Sequence, residues 1–149
     1  MKKHEILETA QALLESQPNQ LALLSNASAF IHETFDRINW VGFYLFDSKV
    51  LTVGPFQGKV ACSVIPLGKG VCGEAAQTHK TMVVKDVHHH PNHIACDANS
   101  RSEVVVPIFI KGKLFGVLDV DSPVENRFDP EIVSFFEQFV DLLVKTIDK

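Results

Sequence analysis

Apolar residues recur at three- and four-residue spacing near the start of the chain, a pattern typical of amphipathic helices. Two such segments are separated by Gln17-Pro18-Asn19. Near the other end, Asp129 and Pro130 form a helix-start signal ahead of a long apolar stripe. A glycine-rich stretch leads into a shorter helical segment. The predicted helices cover residues 4–16, 21–36, 71–78 and 129–147.

Runs rich in β-branched and aromatic residues predict strands between these helices. Lys111-Gly112-Lys113, between the last two runs, is typical of a hairpin turn. Because hairpins connect neighbouring strands, the order of elements predicts an α+β single domain with helices packed on a central antiparallel sheet. Residues 86–100 form a long loop rich in His, Asn and Pro, and such loops are usually functional or disordered. The predicted strands cover residues 38–46, 50–54, 60–65, 81–84, 103–110 and 113–121.

Composition narrows the class of protein. A chain of 149 residues with 46% hydrophobic and 21% charged residues fits one globular domain and excludes a disordered or fibrous chain. The net charge of −4 makes nucleic acid and anionic membranes poor partners. The longest apolar run, Val104–Ile110, is far shorter than the about 20 residues of a membrane span, and the start lacks the apolar core of a signal peptide. We therefore expect a cytoplasmic protein.

The three cysteines, Cys62, Cys72 and Cys96, are an odd number without a C-x-x-C pair. This count argues against a secreted disulfide framework and a zinc ribbon, and leaves either inert core thiols or redox-active ones. Cys96 lies in a polar loop, where His93 and Arg101 could lower its pKa. Cys72 lies at a predicted helix N-terminus that favours a thiolate, although a small residue packed at a tight turn is an equal alternative. Cys62 lies in a β-rich run, which by itself indicates a core residue.

The carboxylates of Asp119 and Asp121 share one face of the last predicted strand. On their own they indicate a solvated outer face. The side on which Glu103 lies depends on the hairpin: a two-residue loop places it opposite Val120, with the acids on opposite faces. A three-residue loop places Glu103 opposite Asp119, which gathers three carboxylates on one surface. Such a cluster would suit a substrate with an ammonium group, or an acid with a raised pKa.

Other features carry weaker signals. Gly68-Lys69-Gly70 does not match a phosphate-binding loop. The histidine-rich segment 88–93, even with Cys96, does not fit a standard zinc spacing, so we predict no metal site. Trp40 and Tyr44 share a strand face and are expected to form core or pocket wall.

Five segments together resemble the free methionine-(R)-sulfoxide reductases, small single-domain enzymes of the GAF fold. The resemblance follows the chain in order over nearly its whole length, and the set of three cysteines is its most specific part. The segments are Asn39–Tyr44, Gly68–Gly73, His93–Asp97, Ser102–Pro107 and Gly116–Pro123.

The resemblance implies a thiol chemistry that needs no bound cofactor. Cys96 would be the catalytic thiol that attacks the sulfoxide sulfur of free L-methionine-(R)-sulfoxide and becomes a sulfenic acid. Cys62 would be the resolving thiol that forms a disulfide with Cys96, and Cys72 a second resolving or relay thiol. Thioredoxin would be the electron donor that resets the enzyme.

The resemblance also implies how the substrate is held. Glu103, Asp119 and Asp121 would form an acidic pocket for the ammonium group and the sulfoxide oxygen, with Trp40 and Tyr44 lining it. The same resemblance favours the three-residue hairpin loop and implies a homodimer. The alternative function is a non-catalytic GAF sensor that binds a small ligand.

Overall fold

The structure, a computed structural model, describes residues 2–94, 96 and 99–148. Two of its helices begin at side-chain caps: Asn19 accepts a hydrogen bond from the backbone N–H of Ala22, and Asp129 accepts one from that of Ile132. The sequence predicts the start at Asp129, whereas it identifies Asn19 only as part of the segment between the first two helices. The helices of the described residues are α1 (Lys3–Glu15), α2 (Gln20–Thr34), α3 (Gly70–Thr78) and α4 (Pro130–Ile147).

Six strands form one antiparallel sheet in the order β3-β2-β1-β6-β5-β4. The predicted α+β class with an antiparallel sheet is therefore confirmed. The strand predicted over residues 60–65 is wrong in its first half, because only Val64–Pro66 pairs with the sheet, and the preceding strand extends further than predicted. The strands are β1 (Trp40–Phe46), β2 (Val50–Gly58), β3 (Val64–Pro66), β4 (Met82–Val84), β5 (Ser102–Ile110) and β6 (Lys113–Ser122).

The two faces of the sheet support separate apolar cores. On one face, residues such as Val104 and Val120 pack against α1, α2 and α4, whose Phe136 and Phe139 are fully buried. On the other face, a smaller core forms around α3. The alternation of side chains along each strand therefore decides which residues face the large core and which face α3. No described helix is both long and apolar enough to cross a membrane.

The β5–β6 hairpin differs from both sequence-based alternatives. Its loop has two residues, Lys111 and Gly112, whose positive φ angles of 53° and 78° are typical of a type I′ turn. The predicted three-residue loop is therefore wrong. A bulge follows at Phe115, which has no partner between the pairs Phe109–Leu114 and Ile108–Gly116. This extra residue reverses the parity of the pairing from that point onward.

The bulge adjoins Gly116, where β6 passes close to the backbone of β1. An added Cβ would overlap the carbonyl oxygen of Tyr44. We expect Gly116→Ala to lower the free energy of unfolding by about 1–3 kcal/mol, because the neighbouring backbone would have to move. A matched control is Gly112→Asn, since no atom lies within 4 Å of its added Cβ and Asn tolerates the left-handed conformation. Urea denaturation would measure both changes, and equal midpoints for the two variants would contradict the close approach.

Candidate active site

A single cavity of about 30 Å³ lies between α3 and the sheet face that packs on it. Its wall combines residues of β1, β5 and β6 with the N-terminus of α3 and parts of the loops around residues 60 and 94. Most of the residues that the sequence singled out are brought together here. The cavity is lined by Trp40, Tyr44, Cys72, Cys96, Glu103, Asp119 and Asp121, among others.

The three carboxyl groups lie on one face because of the hairpin bulge. Glu103 pairs with Asp121 across the two strands, instead of with Asp119 or Val120. Asp119 lies two residues along the same face. The exposed fractions of Glu103, Asp119 and Asp121 are 7%, 5% and 9%, so the interpretation of a solvated outer face is wrong.

Burial changes the protonation of this cluster. Burial, followed by the neighbouring charges of Asp121 and Glu103, raises the pKa of Asp119 well above its usual range. The raised pKa favours the protonated form of Asp119, which can donate a hydrogen bond or a proton. Its Oδ1 atom is buried and has no hydrogen-bond partner among the described residues. A buried polar atom in that condition is suited to a polar ligand.

The aromatic pair forms part of the wall and also positions the segment that carries Cys62. The rings of Trp40 and Tyr44 stack with their centroids 5.7 Å apart. The indole N–H of Trp40 donates to the carbonyl of Lys59 at 3.2 Å, and the Tyr44 hydroxyl donates to the carbonyl of Cys62 at 3.0 Å. These bonds hold residues 59–62 over the cavity, which is why they do not extend β3. Burial is the main reason that the pKa of Tyr44 is raised, so its hydroxyl keeps its proton.

Cys62 and Cys96 are joined by a disulfide with their Cα atoms 5.3 Å apart. These are the two residues that the resemblance pairs. Both are partly buried, and Cys96 lines the cavity from the loop between β4 and β5. Two of the residues within the sequence signature around Cys96, Ala95 and Asp97, lie outside the described residues.

Cys72 lies at the N-terminal end of α3, facing the carboxyl cluster. Its Sγ donates a long hydrogen bond to Oε2 of Glu103 at 3.9 Å. The expectation of a thiolate stabilised by the helix dipole is wrong, since burial and the charges of Asp119 and Glu103 raise the pKa of the Cys72 thiol. Cys72 is therefore a neutral thiol within the site.

The loop that carries Cys96 is fixed by side chains that sequence analysis missed. Glu74 of α3 accepts hydrogen bonds from Asn92 at 2.9 Å and pairs with His90 at 2.8 Å. Asn92 also donates to the carbonyl of Gly68 at 2.7 Å. In the sequence, these residues appear only as polar residues near a glycine-rich turn and within a histidine-rich loop. That pattern does not indicate that Glu74 binds His90 and Asn92.

Charged groups near Cys96 have other partners. The Arg101 guanidinium lies 3.3 Å from Asp86 and 3.4 Å from Glu125, so the structure assigns it to fixing the base of the loop. His93 lines the cavity, and its pKa is lowered mainly by burial, which keeps its imidazole neutral at pH 7. A neutral imidazole can accept a proton from a nearby thiol.

Comparison with known proteins places the chain in a family. The GAF domain profile matches residues 4–147. The free methionine-R-sulfoxide reductase of Escherichia coli is 46% identical over 136 residues, 91% of this chain and 82% of that protein. The reduced form of the Staphylococcus aureus enzyme superposes with a TM-score of 0.94 at 47% identity, covering 98% of this chain and 95% of that one.

The Neisseria meningitidis free methionine-R-sulfoxide reductase, solved in complex with its substrate, also superposes with a TM-score of 0.94. It is 41% identical, and the match covers 98% of this chain and 88% of that one. The fold is thus shared over 98% of the chain. The chain belongs to the GAF-domain family, within its group of free methionine-R-sulfoxide reductases.

Proposed function

We propose that the protein reduces free L-methionine-(R)-sulfoxide to L-methionine with cysteine thiols as the reductant. The observation that carries the proposal is the Cys62–Cys96 disulfide beside three buried carboxyl groups in one cavity. Thiols supply the two electrons, and a buried protonated acid supplies a proton to the departing oxygen. The relatives named above are reductases of this substrate class, which supports the same assignment.

The reaction proceeds in two steps from the reduced enzyme. The Cys96 thiolate attacks the sulfoxide sulfur while an acid protonates its oxygen; the oxygen is transferred to Cys96 as a sulfenic acid, and methionine is released. The Cys62 thiol then attacks the Cys96 sulfur, which forms the disulfide and expels water. In sum, the sulfoxide takes two electrons and two protons from two thiols, and gives methionine, water and one disulfide.

The acid cluster has two tasks in this proposal. Asp119, protonated by its burial, is the proton donor to the sulfoxide oxygen. Glu103 and Asp121 hold the substrate ammonium group, which a free amino acid carries next to the sulfoxide side chain and a methionine sulfoxide within a peptide chain does not. Trp40 and Tyr44 line the pocket at the side chain of the substrate.

Recycling requires an external dithiol, and we propose thioredoxin as this partner. Exchange at the partly exposed disulfide returns both cysteines to thiols. Such a cycle requires a reducing compartment, in agreement with a cytoplasmic location, and a homodimer stays a prediction for a sedimentation measurement. The alternative of a non-catalytic sensor is not favoured, because a sensor has no need of this disulfide.

The direct test is methionine release from the R and S epimers of free methionine sulfoxide, with thioredoxin, its reductase and NADPH. We expect turnover of the R epimer alone and none in Cys96→Ser, because that variant lacks the attacking thiol. Cys96→Ser should keep the melting temperature of the reduced wild type, which separates lost chemistry from lost folding. If folded, reduced protein turned over neither epimer, a ligand-binding GAF module would be the better account.

The role of Cys62 predicts a stoichiometric burst. Cys62→Ser should release about one methionine per enzyme and then stall with thioredoxin, because the sulfenic acid on Cys96 has lost its disulfide partner. Rapid quench with quantification of methionine measures the burst. Cys72→Ser, run in parallel, should keep multiple turnover. A stall in that variant, with normal turnover of Cys62→Ser, would reverse the two assignments.

Asp119→Asn should separate activity from stability. The amide resembles the protonated acid in shape but cannot give up a proton, so kcat/KM should fall on the order of 10²–10⁴-fold. Because the folded-state pKa of Asp119 is raised, the wild type loses stability as the pH rises above the ordinary carboxyl value of 3.8. Asp119→Asn has no carboxyl group to ionise at this position, so its stability should fall less between pH 5 and pH 8 than that of the wild type. Urea denaturation midpoints at the two pH values measure this difference.

The exposed Asp141→Asn on α4 is the matched control for this substitution. It makes the same carboxyl-to-amide substitution outside the cavity and should leave kcat/KM nearly unchanged. Wild-type kinetics in a folded Asp119→Asn variant would remove Asp119 from the chemistry.

A further inference from the structure

One group of side chains in the described part of the chain has the geometry of a metal centre. Potential ligand atoms of Cys72, Glu103 and Asp119 all lie within 4.8 Å of one another, and all three residues are buried. They come from α3, β5 and β6, so three separate elements hold them in place. A thiol and two carboxyl groups are ligand types that zinc accepts.

A second observation points to a ligand at the same place. Oδ1 of Asp119 is buried without a hydrogen-bond partner, and the side chain lines the cavity. This oxygen would coordinate a cation bound there, and the cation would offset the negative charge of the acidic cluster. The cavity that Cys72, Glu103 and Asp119 line has room for an ion.

We infer that Cys72, Glu103 and Asp119 bind a thiophilic divalent cation of the Zn²⁺ type, and that the cation occupies the pocket in competition with the substrate. The sulfur ligand selects Zn²⁺ over Mg²⁺ and Ca²⁺, which prefer oxygen ligands alone. Three protein ligands leave a fourth tetrahedral position open to the cavity. Binding releases the protons of the Cys72 thiol and of the Asp119 carboxyl group to solvent, since the thiolate and the carboxylate are the ligands.

The histidine-rich loop is a separate candidate for metal binding that the structure does not favour. His88 and His89 are exposed, and His90 is held by Glu74. None of them belongs to the group with converging ligand atoms. They are nevertheless the main source of background binding, so the experiment must control for them.

The disulfide form of the protein makes the test specific. The chain has three cysteines, and with Cys62 and Cys96 joined, Cys72 is the free thiol. A thiolate bound to Co²⁺ gives an intense near-ultraviolet charge-transfer band, whereas imidazole and carboxylate ligands do not. In the untagged, oxidised full chain, such a band can come from Cys72 alone.

Titration of this protein with Co²⁺ should give the band at one ion per chain, and Zn²⁺ should abolish it. Cys72→Ser should remove the band, and Glu103→Gln should weaken Co²⁺ binding on the order of 10- to 100-fold by removing a charged ligand. His88→Ala/His89→Ala is the control and should leave the band unchanged. Absence of the band in the wild type, or full retention of affinity in folded Glu103→Gln, would overturn the site.

Competition with the substrate rests on the proposed function and has its own measurement. Pre-reduced protein without added thiol should release methionine more slowly in the presence of Zn²⁺, and excess methionine-(R)-sulfoxide should restore the rate. This inhibition should need at least tenfold more Zn²⁺ in Cys72→Ser. If the Co²⁺ band is present but Zn²⁺ does not compete, the metal site stands and the substrate placement is overturned. If Zn²⁺ inhibits Cys72→Ser as strongly as the wild type, the inhibition is due to Zn²⁺ bound at Cys96 and the proposed competition is overturned.

Discussion

Burial of three carboxyl groups on one sheet face is the constraint on which the rest of the site depends. Removing an ionised carboxylate from water costs several kcal/mol unless a partner compensates it, and Asp119 lies beside the acidic groups of Asp121 and Glu103. The cluster relieves the repulsion by favouring the protonated form of Asp119. In the proposed reaction, this proton is the one that the departing sulfoxide oxygen requires.

The parity of one hairpin decides whether this cluster exists. Sequence patterns correctly predicted β5, β6 and the turn between them. They did not determine the length of the loop or the pairing partner of Glu103. A two-residue type I′ turn alone would place Glu103 on the large-core face, among phenylalanines. The unpaired Phe115 shifts the register by one residue and returns Glu103 to the side of Asp121. The bulge adjoins Gly116, whose close approach to β1 is a tertiary contact that local periodicity does not reveal.

For the rest of the molecule, too, features set by local sequence were predictable and features set by tertiary contacts were not. The spacing of apolar residues and the Asp129-Pro130 start signal are local, and they predicted the helices and most of the strands to within a few residues. The position of Cys62 depends instead on hydrogen bonds from Trp40 and Tyr44 to the backbone of residues 59–62, about 18 residues away in sequence. Likewise, the ionisation of Cys72 follows from carboxyl groups on two other elements, which override the helix dipole that local reasoning had taken as dominant.

The disulfide and the acid cluster border the same cavity, because Cys96 lines it together with Glu103, Asp119 and Asp121. Shielding from water sustains the raised pKa of Asp119 there, because desolvation is its largest cause. In the proposed reaction, water that enters the pocket would lower that pKa. A substrate that fills the pocket and excludes water therefore maintains its own proton donor, and a smaller or poorly fitting molecule does not.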